Sequence, residues 1–304
     1  MEATWSRYVQ NSAFLTYSRY KLIPQELYPV IADKIGLPSK GKILDVGCGN
    51  GFFCEVLKEI GGQNITGLDL DEALIQEAQR RASDIDYLIG NANDLPFNDN
   101  QFEIVGSHAF LNCLTDPQSA LSEMIRVCKP KGTIFAIFPG ASMVYENSDL
   151  EDGFPNNAKL HQLNRKIQYA YSKTIINGIW PDKWIPSQLL PKLFSKNHLA
   201  DLKMYPIGYC FSLSDNGIPY EEKKRYIFLK YSSQIEKINN YQKLTTFRQL
   251  VPSEDAQECI RLLREKTQWL ISTLEENRTW NWYCGVNVLI VAQNEKNKED
   301  NTPR

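Results

Sequence analysis

Short, mainly apolar runs alternate with amphipathic helical patterns through the first half of the chain. The runs comprise residues 43–46, 65–70, 87–90, 102–107 and 133–138. Runs of this length and character are typical of strands that are buried on both faces of a parallel sheet. Between these runs, Asp71 and Asp116 are the predicted N-caps of two helices. Strands that alternate with helices at short spacing predict right-handed crossovers and a functional site at the carboxyl ends of the strands.

The first of these strands ends in a turn with three alternating glycines, Gly47, Gly49 and Gly51. Glycine lets the backbone turn sharply and lets a ligand lie against main-chain amides. Asp69 follows about twenty residues later, where a doubly wound fold places a carboxylate to accept hydrogen bonds from both ribose hydroxyls. The turn and Asp69 together predict a nucleotide-like ligand.

The regular alternation is lost after residue 139. Residues 140–185 are polar and aromatic, whereas two later segments have helical periodicity and two others alternate as strands do. The helical segments are 220–241 and 253–277, and the strands are 202–211 and 285–292. Asp255 and Glu258 have the spacing of a capping box at the start of the second helix. The charged residues 294–304 are predicted to be disordered.

Charge and cysteine usage exclude several classes of function. Lysine and arginine total 34 against 36 aspartates and glutamates, so no net field favours binding to nucleic acid or acidic membrane. Seven cysteines lack a CxxC pair and three histidines lie far apart, which argues against a metal site and a disulfide framework. With no signal pattern and no membrane-spanning run, the expected location is cytoplasmic.

Four motifs in order carry a family resemblance. They are Asp45-x-Gly-x-Gly-x-Gly51, Gly67-x-Asp69, the loop 90–97 and the turn 129–132. In this combination they resemble the class I S-adenosylmethionine-dependent methyltransferases. The resemblance implies a doubly wound, seven-stranded, mostly parallel sheet in which 202–211 and 284–293 form the closing antiparallel pair. The insertions between the core elements would then build a largely helical cap over the strand ends.

The resemblance assigns cofactor roles residue by residue. Gly47, Cys48 and Gly49 would follow the methionine part of S-adenosylmethionine, and Asp45 would hold the loop and the amino group. Asp69 would bind the ribose hydroxyls. The remaining positions would contact the adenine or the methionine end: Leu70, Asn91, Ala92, Asn93 and Ser107.

Candidate acceptor-side residues come from aromatic content and from one histidine. His108 follows the fourth strand and could act as a base for an oxygen acceptor, or it could be a structural or cofactor-lining residue. Tyr8 and Tyr17 lie in a helical N-terminal segment that either covers the ligand or packs on the sheet edge. Tyr145 and Trp180 could bind substrate or form the core of the cap.

The function predicted from these residues is methyl transfer to an oxygen or nitrogen of a small-molecule metabolite or natural product, by a monomer or homodimer without a metal. A peptide or protein side-chain acceptor, and a non-catalytic S-adenosylmethionine-binding partner protein, remain alternatives. The expected organisation is a helical flap at 1–38 and a cofactor-binding core at 39–139. The later segments are a cap insertion (140–185), core elements (186–211), a helical cap insertion (212–281), a last strand (282–293) and the tail (294–304).

Overall fold

A computed structural model of the chain describes residues 5–8, 15, 23–139, 145–146, 153–174, 189–197, 199–276 and 282–295. Its first half contains α1 (Trp5–Tyr8), a 3-10 turn (Gln25–Leu27), α2 (Tyr28–Ile35), β1 (Ser39–Val46), α3 (Phe52–Glu59), β2 (Gly62–Asp69), α4 (Glu72–Arg81), β3 (Asp86–Ile89), β4 (Phe102–His108), a 3-10 turn (Leu111–Cys113), α5 (Pro117–Val127) and β5 (Cys128–Pro139). The second half contains β6 (Tyr145–Glu146), α6 (Asn157–Lys173), α7 (Leu189–Ser195), β7 (Leu199–Ser212), α8 (Tyr220–Tyr241), α9 (Thr245–Leu250), α10 (Ser253–Glu275) and β8 (Trp282–Asn294).

The long strands form one sheet in the order β3-β2-β1-β4-β5-β8-β7, and the two-residue β6 adds to one side of β8. Strands β1 to β5 are parallel, and β8 runs antiparallel to β5 and to β7. This arrangement confirms the predicted seven-stranded, mostly parallel sheet and its antiparallel closing pair. The strand order reverses between β1 and β4, which is where a doubly wound sheet opens a crevice for a ligand.

Two apolar layers cover the faces of the sheet. In β1, Ile43 packs into the layer that includes α2 and α3, and Leu44 packs into the layer that includes α5 and α7. Both side chains are fully buried. Because successive residues of a strand point to opposite faces, a continuous apolar run is what a sheet covered on both sides requires.

Helix starts were predicted with mixed success. Asp71 accepts from the amide of Ala73 (3.1 Å) and Asp116 accepts from the amide of Ser119 (3.1 Å), so both are the expected N-caps. The capping box in α10 is wrong, because the helix begins at Ser253, directly after Pro252, and no side chain caps it. Its two acids instead form ion pairs: Asp255 with Lys166, and Glu258 with Lys159 and Arg261.

Helices α6, α8, α9 and α10 share an apolar core of their own, and we call these four helices the helical unit. Three of them lie between β7 and β8 in the chain. The N-terminal segment bridges the helical unit and the sheet layers: the Ser6 amide donates to Asp71 (2.9 Å), and Asn240 donates to the Arg7 carbonyl (2.8 Å). The helical unit therefore sits beside the N-terminus of α4, at the carboxyl end of β2.

None of the described helices is both long and apolar enough to cross a bilayer.

Candidate functional site

The glycine turn after β1 is tied to the neighbouring strand. Gly47, Gly49 and Gly51 all have left-handed backbones, with φ of 74°, 55° and 79°. The amides of Gly47 and Cys48 both donate to the Leu68 carbonyl, at 2.7 and 3.0 Å. These two amides are thus directed at β2, and the turn is held against the carboxyl end of that strand.

Two of the three glycines make room for aromatic side chains. A Cβ on Gly47 would lie 2.1 Å from the ring of Phe110, and one on Gly51 would lie 2.5 Å from the Tyr87 hydroxyl. Around Gly49, by contrast, nothing lies within 4 Å of the corresponding position. The open space that the sequence predicted for a ligand is therefore found at Gly49, while Gly47 and Gly51 accommodate aromatic side chains.

Asp69 connects the glycine turn to the end of β2. Its carboxylate accepts from the amides of Gly49 and Asp71, both at 2.9 Å. The residue as a whole is only partly buried, but the protein surrounds its carboxylate, and this desolvation raises the pKa of Asp69 above its usual range. The hydrogen bonds from the two amides oppose that shift. A carboxylate has about four acceptor sites, so the two amides leave capacity for two hydroxyls.

Asp45 lies beneath the same turn and is fully buried. One of its carboxylate oxygens accepts from the Cys54 thiol (3.3 Å), and the other has no hydrogen-bond partner in the described part of the chain. Burial raises the pKa of Asp45 to about 7; the Cys54 bond lowers it and the charge of Asp69 adds to the increase. Burial also raises the pKa of Cys48 to about 11, so this residue is not a reactive thiol.

The predicted adenine contacts lie around the ends of β2 and β3. Leu70 has 45 % of its surface exposed, and Ala92 is buried. Asn91 uses its side-chain oxygen to accept from the Asn93 amide at 3.0 Å, and its carbonyl accepts from the Asp94 amide at 3.1 Å. In this arrangement Asn91 shapes the loop.

Arg126 on α5 clamps the next part of this loop, and nothing in the sequence pattern indicated it. Its guanidinium donates to the carbonyls of Leu95 (2.9 Å) and Phe97 (2.8 Å) and to Glu123 (2.7 Å), while the Leu95 amide donates to Glu123 (2.8 Å). The guanidinium of Arg126 lowers the pKa of Glu123. The loop after β3 is therefore held by Arg126 and Glu123, and Arg126 also forms an ion pair with Asp99 in the loop.

We expect Arg126→Met to lower the free energy of unfolding by about 2 kcal/mol, because it leaves the Leu95 and Phe97 carbonyls without a donor and the Glu123 carboxylate without its cationic partner. Denaturant unfolding measures this loss. Arg80→Met is the matched control: Arg80 forms a largely exposed pair with Glu77 and should cost about 0.5 kcal/mol or less. Equal losses of unfolding free energy in the two variants would show that Arg126 does not stabilise the loop.

Ser107 and His108 end β4 on opposite faces of the sheet. Ser107 is buried, and its hydroxyl has no hydrogen-bond partner among the described residues. The His108 ring stacks on Phe53 of α3, with centroids 5.0 Å apart and 8 % of the residue exposed. This stacking gives His108 a packing contact, and its roles as a base or as a cofactor-lining residue stay predictions.

Phe110 is a site residue that the sequence did not single out. Ala109 has a left-handed backbone with φ of 49°, which turns the chain back directly after β4. The turn brings the Phe110 ring over Gly47. A left-handed alanine is uncommon and strained, and residues in such conformations cluster at functional sites.

Of the four aromatic residues predicted on the acceptor side, the structure describes the side chain of Tyr8 alone. Tyr8 is buried in the core of the helical unit, with its ring 5.8 Å from that of Tyr241, so packing is one role that it has. Tyr17 and Trp180 lie outside the described residues, as does the side chain of Tyr145. Binding of substrate by these residues stays a prediction.

The parallel strands gather the remaining candidates at one edge. Asp45 and the glycine turn end β1, Asp69 and Leu70 end β2, Asn91 to Asn93 follow β3, and Ser107 and His108 end β4. The sequence profile of a family described as "Methyltransferase domain" matches residues 44–136, the segment that carries all of these positions.

Over these residues the chain is a methyltransferase domain.

Relatives of this methyltransferase domain include enzymes with different names. The chain is 34% identical over 105 residues to the demethylmenaquinone methyltransferase of Renibacterium salmoninarum, covering 34% of this chain and 44% of that protein. It is 27% identical over 173 residues to the malonyl-[acyl-carrier protein] O-methyltransferase of Buchnera aphidicola, covering 56% of this chain and 70% of that protein. The chain thus aligns with less than half the length of the demethylmenaquinone methyltransferase.

Solved structures with similar folds include YcgJ of Bacillus subtilis, with a TM-score of 0.48, 17% identity, and coverage of 90% of this chain and 99% of that one. Another is phosphoethanolamine N-methyltransferase 2 of Haemonchus contortus, in complex with phosphomonomethylethanolamine and S-adenosylhomocysteine. Its TM-score is 0.47, with 15% identity and coverage of 96% of this chain and 60% of that one.

Proposed function

We propose that this chain binds S-adenosylmethionine at the carboxyl ends of β1 to β4 and transfers its methyl group to a small-molecule acceptor. The observation that carries the proposal is the placement of Asp69. Its carboxylate stands at the end of β2, is fixed by two backbone amides, and lies next to the open space at Gly49. A fixed acceptor beside a glycine that leaves room for a ligand suits the ribose of a nucleoside.

The residues present fit this cofactor. The free oxygen of Asp45 is a buried acceptor that a cationic amino group would satisfy. Asp69 would hold the ribose, and the exposed face of Leu70 offers an apolar surface to the adenine. When bound, S-adenosylmethionine supplies an activated methyl group. The task left to the protein is orientation and exclusion of water, for which the helical unit beside β2 is suitably placed.

The acceptor class is the finer part of the proposal. One relative is named for demethylmenaquinone and another for a malonyl group on acyl-carrier protein. We propose a small molecule or a carrier-bound acyl group, methylated on oxygen, nitrogen or carbon. Neither a peptide side chain nor a non-catalytic partner role gains support from these relatives.

The proposal is tested by calorimetric titration of the full chain with S-adenosylmethionine and S-adenosylhomocysteine, followed by an acceptor screen. We expect micromolar binding of both ligands, with S-adenosylhomocysteine released only when an acceptor is present. The screen should include a hydroquinone, a malonyl thioester, a primary amine and an acidic peptide. Absence of binding would remove the proposal, and binding without turnover on any acceptor would favour the partner role.

A further inference from the structure

Cys210 on β7 and Cys284 on β8 stand directly opposite each other in the antiparallel register. Both are free thiols; Cys210 is exposed and Cys284 is partly buried. Directly opposite residues of an antiparallel pair point to the same face of the sheet. The two thiols are therefore neighbours on one face, although 73 residues separate them in the chain.

The spacing of such a pair suits a disulfide. Opposite Cα atoms in antiparallel strands lie roughly 4.5 or 5.5 Å apart, depending on the pair type, and disulfides span Cα separations of about 4.4 to 6.8 Å. Gly208 and Gly285 lie near the two cysteines in their strands, and glycine eases small adjustments of a strand backbone.

The position of the pair gives a disulfide a defined effect. Cys210 lies two residues before the end of β7, and Cys284 lies two residues after the start of β8. The chain between them contains α8, α9 and α10. A bond between the two sulfurs would thus join the points at which most of the helical unit leaves the sheet and returns to it, and a covalent bond across a long loop disfavours unfolding of that loop.

We propose that Cys210 and Cys284 are an oxidation site, where a peroxide produces a disulfide between β7 and β8. This bond links the two points at which most of the helical unit joins the sheet. Hydrogen peroxide oxidises the exposed Cys210 thiolate to a sulfenic acid, and one oxygen of the peroxide leaves as water. The Cys284 thiolate then attacks that sulfur, the S–S bond forms, and a second water leaves. In sum, two thiols and one peroxide give one disulfide and two waters, and a thiol reductant reverses the reaction.

The other cysteines are poorer targets. Cys48, Cys54, Cys128 and Cys259 are buried, and burial raises the pKa of Cys54 well above its usual range and that of Cys259 to about 12. Because the thiolate is the reactive form, oxidation at these positions is disfavoured. Cys48 and Cys54 both lie beside Gly67 and are the main competing pair.

The test is peroxide treatment of the full chain, alkylation of the remaining thiols and peptide mapping without reduction. We expect one cross-linked peptide that joins Cys210 to Cys284, and a fall from seven free thiols to five. Dithiothreitol should restore all seven. The oxidised wild type should melt at a higher temperature than the reduced wild type, and Cys210→Ser should show no such shift.

Cys113→Ser is the matched control, because Cys113 is partly buried but lies in the turn after β4. This variant should form the same cross-link. Sulfinic acid at Cys210 with a free Cys284, a Cys48–Cys54 cross-link, or a covalent dimer through Cys210 would each overturn the proposal. None of these outcomes depends on whether the chain transfers methyl groups.

Discussion

Asp69→Ala is expected to weaken S-adenosylmethionine binding by about 100-fold or more, because a hydrogen bond to a charged acceptor contributes about 1.5–3 kcal/mol and the ribose offers two hydroxyls. Calorimetric titration of the variant against the wild type measures the loss. Both amides that the carboxylate now accepts from, those of Gly49 and Asp71, also lose their acceptor in the variant. The affinity must therefore be compared only after circular dichroism and a melting curve show that the variant is folded.

A ligand-side control separates ribose recognition from a general disturbance of the turn. An S-adenosylhomocysteine analogue without the two ribose hydroxyls should bind the wild type much more weakly than the parent ligand. Asp69→Ala should bind both ligands equally, because a coupling between two groups disappears when one is removed. Asp84→Asn, at the amino end of β3 and paired with Lys58, should bind as the wild type does. Full discrimination retained in a folded Asp69→Ala protein would place the ribose elsewhere.

The sheet could be predicted because its strands are buried on both faces, so the sequence shows them as apolar runs between helical patterns. Asp71 and Asp116 were likewise found because a helix N-cap depends on a few adjacent residues. The capping box in α10 failed for a similar local reason. The N-cap position is occupied by Pro252, so the helix starts three residues earlier than the acidic pair suggested.

The site was predicted less completely, because several of its contacts join residues that are distant in the chain. The glycines of the turn predicted a ligand, yet two of them leave space for the side chains of Phe110 and Tyr87. The positions of these side chains follow from the packing of β3 and β4. Arg126 was missed because two of its partners are backbone carbonyls, which leave no residue signature, and because its pairing with Glu123 on the same helix resembles an ordinary surface ion pair. The opposition of Cys210 and Cys284 depends on strand register, which spacing along the chain does not reveal.

Asp45 should make the stability of the ligand-free protein fall as the pH rises from about 4 to 7. Its folded pKa is raised to about 7 by burial, against a usual 3.8. Between these two pH values the native state holds a proton that the unfolded state has lost. The stability that this carboxyl contributes is therefore fully present below its unfolded pKa and is lost as the pH rises through its folded pKa. The difference amounts to about 4 kcal/mol at most. The raised pKa of Asp69 acts in the same direction.

Denaturant unfolding of the wild type and of Asp45→Asn across this pH range measures the effect, because the difference between the two proteins removes the contribution of other carboxylates. We expect the free energy of unfolding of Asp45→Asn to increase relative to that of the wild type as the pH rises. If the amino group of S-adenosylmethionine lies against Asp45, its positive charge lowers the pKa of that carboxyl, so binding below pH 7 releases a proton. Titrations at pH 6 in buffers of different ionisation enthalpy detect that proton, and Asp45→Asn should abolish it. A parallel pH dependence in both proteins would mean that Asp45 is ionised in the fold, and that its charge is compensated before any ligand arrives.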